Sequence, residues 1–141
     1  MPDKCFFDTN LWIYLFLDSK DPDDRKKKRK VEKLINEDDI EIVVSTQVLN
    51  EICSVLLKKY KIKADSIKEH LERMLDIVEV NILTEQNTLK SLSLLEKYNL
   101  SFYDAIIISS AIESDCNIIL SEDLQSELII EGNLKIINPF K

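Results

Sequence analysis

The stretch Cys5-Phe6-Phe7-Asp8-Thr9-Asn10 constrains this chain more than any other. An apolar run stops on an acid and two small polar residues, and a second apolar run, Leu11-Trp12-Ile13-Tyr14-Leu15-Phe16-Leu17, starts at once. Consecutive apolar residues without alternation suit a strand covered on both faces, as in a parallel sheet. Thr9 and Asn10 are helix-entry residues. Asp8 therefore stands where a strand hands over to a helix, and in open α/β sheets ligands bind at that carboxyl edge.

The rest of the chain repeats this alternation. A helix over Leu11–Leu17 leads to a loop, Asp18 to Asp24, punctuated by Pro22. Val31, Leu34 and Ile35 then mark one face of a helix, and β-branched Ile40–Ser45 reads as a second strand. Ser45 or Thr46 caps a helix whose buried stripe is Val48, Leu49, Ile52, Val55, Leu56 and Tyr60. A helix over Ala64–Asp76 turns Ile67, Leu71, Met74 and Leu75 inward, a short strand spans Ile77–Val80, and a helix runs from Thr84 to Tyr98. Ser101-Phe102-Tyr103-Asp104 opens an apolar helix reaching Ser114, and strands follow at Asn117–Ser121 and Leu134–Ile137. Strands alternating with helices predict one α/β domain over 1–141, with a central parallel sheet of four to five strands covered on both faces.

Composition removes several function classes. The only glycine is Gly132, so no Gly-rich phosphate loop can form. His70 is the only histidine and lies in a polar stretch, where a surface helix position is expected; a triad or histidine-rich zinc site would have to rest on it alone. Cys5, Cys53 and Cys116 are widely spaced in apolar surroundings and read as buried free thiols of a reducing, cytoplasmic setting. The apolar runs are too short to span a bilayer, and the early charges argue against a signal peptide. A net charge of -7 argues against global affinity for nucleic acid, yet Arg25-Lys26-Lys27-Lys28-Arg29-Lys30 is a concentrated basic run. It reads either as a solvated helix face or as a phosphate-tracking element.

Carboxylates remain. Besides Asp8, Glu51 lies in the first turns of the helix after the second strand, Asp104 in the first turn after Ser101, and Asp123, beside Glu122, just past the strand ending at Ser121. Each has an ordinary explanation: an Asx turn at Asp8, a helix-dipole contact at Glu51, an S-x-x-D cap at Asp104, a turn acid at Asp123. Right-handed crossovers nevertheless bring all four to one sheet edge. Two carboxylates about 4 Å apart repel by roughly 4 kcal/mol at an effective dielectric near 20. Such a cluster holds protons or takes a hard cation, and an all-oxygen set suits Mg²⁺ or Mn²⁺ rather than zinc.

Phe7-Asp8-Thr9-Asn10, Glu51 in its helix, Leu100-Ser101-Phe102-Tyr103-Asp104-Ala105 and Ile119-Leu120-Ser121-Glu122-Asp123-Leu124-Gln125 together resemble the PIN-domain family, most of all VapC-type toxin ribonucleases of toxin–antitoxin pairs. The resemblance implies a three-layer α/β/α sandwich and metal-dependent endonucleolytic cleavage of RNA that leaves a 5′-phosphate and a 3′-hydroxyl. It also implies a homodimer and an antitoxin that occludes the site. Asp8, Glu51, Asp104 and Asp123 match the family's acidic quartet, Thr9 and Ser121 its small hydroxyl positions, and Asn10 its neighbouring polar one. On this reading Asp8, Asp104 and Asp123 hold Mg²⁺ or Mn²⁺, and Glu51 binds it through water or orients the attacking water. Glu122 competes with Asp123 for the last position, and Arg25, Lys27 and Arg29 are candidate RNA-backbone contacts. The alternatives are a non-catalytic PIN-like module that binds protein or RNA, and a phosphoaspartate receiver or haloacid-dehalogenase-type phosphatase. The latter two would want acids where Thr9 and Asn10 stand.

Overall fold

The computed structural model describes residues 3–141. Strand β1 (Asp3–Phe7) buries Cys5, Phe6 and Phe7 in succession, as its unalternating apolar run requires. Asp8 is the N-cap of helix α1 (Thr9–Phe16). The expected loop to Asp24 is cut short by α2 (Pro22–Ile35): Asp21 caps it by accepting from the Asp23 amide, and Pro22 sits in the first turn, where its missing N–H costs nothing. The basic run is therefore helical, and Val31 is the residue α2 buries fully.

Strand β2 (Ile40–Ser45) follows, and of the two expected caps it is Ser45 that accepts from the Val48 amide at the start of α3 (Thr46–Lys58). Helix α4 (Ala64–Leu75), strand β3 (Val78–Asn81) and helix α5 (Glu85–Tyr98) come next, with Thr84 and Asn87 forming a reciprocal capping box on α5. Helix α6 (Phe102–Glu113), strands β4 (Ile118–Leu120) and β5 (Ile129–Ile130), and strand β6 (Leu134–Ile137) complete the order.

Among the described residues one sheet holds six strands in the order β3-β2-β1-β4-β6-β5, with every pair parallel except β5 and β6. Five parallel strands meet the expected four to five, and the antiparallel edge strand β5 is an addition to them. At two residues, turning back through Glu131 (φ 51°) and Gly132 (φ 81°), β5 is too short to leave a periodic signal. The packed pairs α1–α2, α1–α3, α3–α4 and α5–α6 are those that right-handed crossovers give when α1 to α4 cover one face and α5 with α6 the other. The chain steps outward from β1 to β3, then returns to lay β4 against β1. That reversal opens a crevice at the carboxyl ends of β1 and β4, the switch point of an open α/β sheet.

The core is continuous across the sheet. Trp12 is fully buried and its indole N–H donates to the Phe7 carbonyl at 3.3 Å; its ring lies 5.5 Å from Phe7 and 6.1 Å from Phe16. Helix α6 buries every residue from Ala105 to Ala111, so its polar Ser109 and Ser110 bond to Ile106 O and Asn81 Oδ1. Three expectations need correction. Tyr60 and Leu75, expected inside, are 38% and 45% exposed, because α3 ends at Lys58 and the inward arc of α4 ends at Met74. His70 is on α4 as expected but half-buried, stacked on Phe16 at 4.8 Å. All three cysteines are free; Cys5 and Cys116 are buried and Cys53 is partly so. Among the described residues no helix is long and apolar enough to cross a membrane.

Candidate active site

The crevice between β1 and β4 is built around Asp8. Its amide donates to the Leu120 carbonyl at 3.0 Å, which ties the end of one strand to the end of the other. One carboxylate oxygen accepts from the Thr9 amide at 2.7 Å and the other from the Ser121 hydroxyl at 2.8 Å, so the Asp8 side chain bonds the amide next to it while its carbonyl accepts from the Leu11 amide at 3.3 Å. Ser121, wholly buried, also accepts from the Asp123 and Leu124 amides, which folds the post-β4 loop over Asp8.

The next residues along α1 reach the other acids. Thr9 Oγ1 donates to Glu51 Oε2 at 3.0 Å, and Asn10 Nδ2 donates to Asp123 Oδ2 at 2.7 Å. Asp8, Thr9, Asn10, Glu51, Ser121 and Asp123 thus form one polar network drawn from three separate stretches of chain. Asp104 stands apart from it. It lies half-buried in the first turn of α6, its amide donating to Ser101 Oγ at 3.2 Å, and no hydrogen bond or ion pair among the described residues ties its carboxylate to the other acids. Its neighbours Tyr103 and Ile106 do line an open depression of about 570 Å³ together with Gln47 and Glu51, so α6 meets α3 at this edge.

Glu122 and Asp123, adjacent in sequence, point to different partners. Glu122 accepts from Tyr14 Oη at 2.8 Å and pairs with Lys27 Nζ at 2.9 Å, whereas Asp123 is held by Asn10. Lys27 is accordingly engaged inside the protein, its ammonium also 3.2 Å from Tyr14 Oη and its own pKa pushed up chiefly by the bond to Glu122. Arg25 Nε donates to Ser19 O at 3.1 Å, and Arg29 lines the depressions on both sides of α2. Two participants escaped sequence reasoning. Gln47 donates to Glu51 Oε1 at 2.6 Å, a pairing its i,i+4 spacing on one helix could have signalled. Tyr14 carried no such signal, because its partners are 13 and 108 positions away.

Electrostatics single out Asp8. It is 7% exposed, and burial, reinforced by the charges of Glu51 and Asp123, pushes its carboxyl up to about 6 despite the bonds from Ser121 and Thr9. None of the ion pairs among the described residues involves Asp8, Glu51, Asp104 or Asp123. Carboxylates and hydroxyls without a cationic partner fit a hard divalent cation in donor type and in charge. In position they form no finished cage: among the described residues no three acidic, histidine or cysteine side chains are grouped to hold an ion. Glu51's two oxygens are occupied by Thr9 and Gln47.

Comparison with known proteins bears on the family and the fold. A family model described as PIN domain matches residues 5–127. Among curated proteins no match is found. Among solved structures, the chain is similar to the VapC20 toxin of Mycobacterium tuberculosis, described as cleaving the sarcin–ricin loop: TM-score 0.65 at 18% identity, over 84% of this chain and 91% of that one. A chain of a toxin–antitoxin complex from Klebsiella pneumoniae aligns with TM-score 0.67 at 20% identity, over 96% and 97%. A chain of VapBC2 from Rickettsia felis, solved bound to a fragment of its promoter DNA, aligns with TM-score 0.57 at 21% identity, over 85% and 88%. At these identities the likeness is one of fold.

Proposed function

The chain belongs to the PIN-domain family, and on that premise we propose that it is a divalent-metal-dependent endoribonuclease acting as the toxin of a toxin–antitoxin pair. The observation that carries this reading is Asp8: a buried carboxylate at the sheet's switch point, crowded by Glu51 and Asp123 and paired with no cation among the described residues. Such a group is costly unless positive charge arrives from outside the chain.

Asp8 and Asp123, joined by Glu51 and Asp104, would hold Mg²⁺ or Mn²⁺. When bound, such an ion neutralises charge on a phosphodiester and makes water nucleophilic near neutral pH. The chain's own contribution is positional. Ser121 and the Thr9 amide aim the two Asp8 oxygens, Asn10 aims Asp123, and Thr9 with Gln47 orients Glu51, which would bind the ion through water or orient the attacking water. Glu122 serves the loop through Tyr14 and Lys27 rather than serving the ion.

Partners follow from the same reading. Two of the fold relatives were solved as parts of toxin–antitoxin complexes, which supports an antitoxin partner; RNA is the substrate, the active form is a homodimer, and the setting is the cytoplasm. The test is cleavage of total RNA by purified protein with Mg²⁺, Mn²⁺ or chelator. Asp8→Asn should lose cleavage while keeping its circular dichroism spectrum and its cooperative unfolding. A folded Asp8→Asn protein that cleaves at the wild-type rate would refute the assignment.

A further inference from the structure

The acidic crevice is continued by a surface of opposite sign. Helix α2 and the C-terminal residues Pro139, Phe140 and Lys141 enclose an open groove of about 740 Å³. Its walls carry Lys26, Arg29, Lys30, Lys33 and Lys141, with Asp23 the one acid among the lining residues. In a chain of net charge -7 this is a strong local reversal. Lys26, Arg29, Lys30 and Lys33 are exposed, and none of them has an acidic partner within 4.0 Å among the described residues.

The floor is apolar and joined to the site. Phe140 meets the Tyr14 ring edge-on at 5.5 Å, and Lys27 lies 5.4 Å above it while reaching Glu122 at 2.9 Å. Tyr14, which holds Glu122, stands one turn of α1 beyond Asn10, which holds Asp123, so one tier of side chains separates the groove from Asp123. Lys26, Lys30 and Lys33 recur at helical spacing over about 10 Å of α2, a row of point charges rather than a single anion pocket.

Resting on the nuclease reading, we propose that this groove binds a single-stranded stretch of the nucleic-acid substrate flanking the cleavage position, its phosphates on the α2 lysines and a base against Phe140. A row of unneutralised cations over an aromatic floor, leading to a phosphodiester-cleaving centre, is the pattern of a single-strand track. An acidic protein segment would use the cations alone, whereas the half-buried Phe140 ring beside them offers a base a face to stack on.

Binding without turnover tests it. A fluorescent single-stranded RNA is titrated by anisotropy in chelator, at several salt concentrations, against wild type, the groove variant K26Q/K30Q/K33Q, and the control K58Q/K63Q/K68Q. The control removes equal charge from the α3–α4 side, where all three lysines are exposed. Loss of three phosphate contacts should lower the salt slope by about 2 in the groove variant, so that its affinity deficit narrows roughly 20-fold between about 50 and 200 mM salt. The control should track wild type. Equal affinity and slope in all three proteins, or equal losses in both variants, would overturn the proposal, as would a groove that binds poly-glutamate but not RNA. Each of these three failures leaves the Asp8→Asn cleavage test standing, and a cleaving Asp8→Asn protein leaves the binding result standing.

Discussion

Replacing Asp8 with asparagine should stabilise the metal-free protein at neutral pH. The carboxyl of Asp8 is pushed from its ordinary 3.8 to about 6, first by burial and then by Glu51 and Asp123. The folded state therefore holds this proton at pH values where the unfolded chain has released it. Stability is lost as pH rises from about 4 through 6, and above the folded value the penalty levels off at about 3 kcal/mol. Asparagine removes the charge but keeps the shape. Its carbonyl can still accept from Thr9, whereas its amide meets a Ser121 oxygen already accepting from Asp123 and Leu124, at a cost of about 1 kcal/mol. The net gain at pH 7.5 is about 2 kcal/mol, read as an increase in urea midpoint with chelator present. At pH 4 the gain should vanish and the variant should fall slightly below wild type. Adding Mn²⁺ at pH 7.5 should reverse the order, because only the wild type gains from binding in the folded state. A variant no more stable than wild type at pH 7.5, or one whose gain is the same at pH 4, would refute the claim that an uncompensated charge is stored here.

Two further outcomes follow from the same geometry. Ser121→Ala deletes one donor to Asp8 and leaves the Asp123 and Leu124 amides without their acceptor, so it should cost about 1–3 kcal/mol in denaturant unfolding; an unchanged midpoint would show the loop to be held by other means. Cys5 and Cys116 are buried, and burial pushes both thiols up to about 12, so iodoacetamide at pH 8 followed by intact-mass measurement should label only Cys53 until denaturant is added.

Much of the architecture was legible along the chain. The β1–Asp8–α1 hand-over, the strand at Ile40–Ser45, the cap at Ser101 and the long helix over residues 102–113 each announce themselves by local pattern, since a buried parallel strand and a capped helix need nothing beyond their own residues. What escaped were features without such a pattern: a two-residue antiparallel edge strand, and the exposure of Tyr60 and Leu75 at helix ends where the periodic stripe no longer faces a partner. The site divides in the same way. Which residue types could do chemistry was readable by elimination, with one glycine and one histidine leaving carboxylates.

By itself, then, the sequence determined an alternating α/β fold with acids stationed at strand ends, because burial pattern and capping are short-range matters. Tertiary structure alone decided which acids share a network, since that depends on β4 returning beside β1 and on side chains more than 100 positions apart meeting at hydrogen-bond distance. It joined Asp8 to Ser121 and Asp123 to Asn10, turned Glu122 toward Lys27, and left Asp104 outside the bonded set. The reason is range: a cap is satisfied within one turn of its own helix, whereas a shared buried charge is a property of whatever the chain brings back to it.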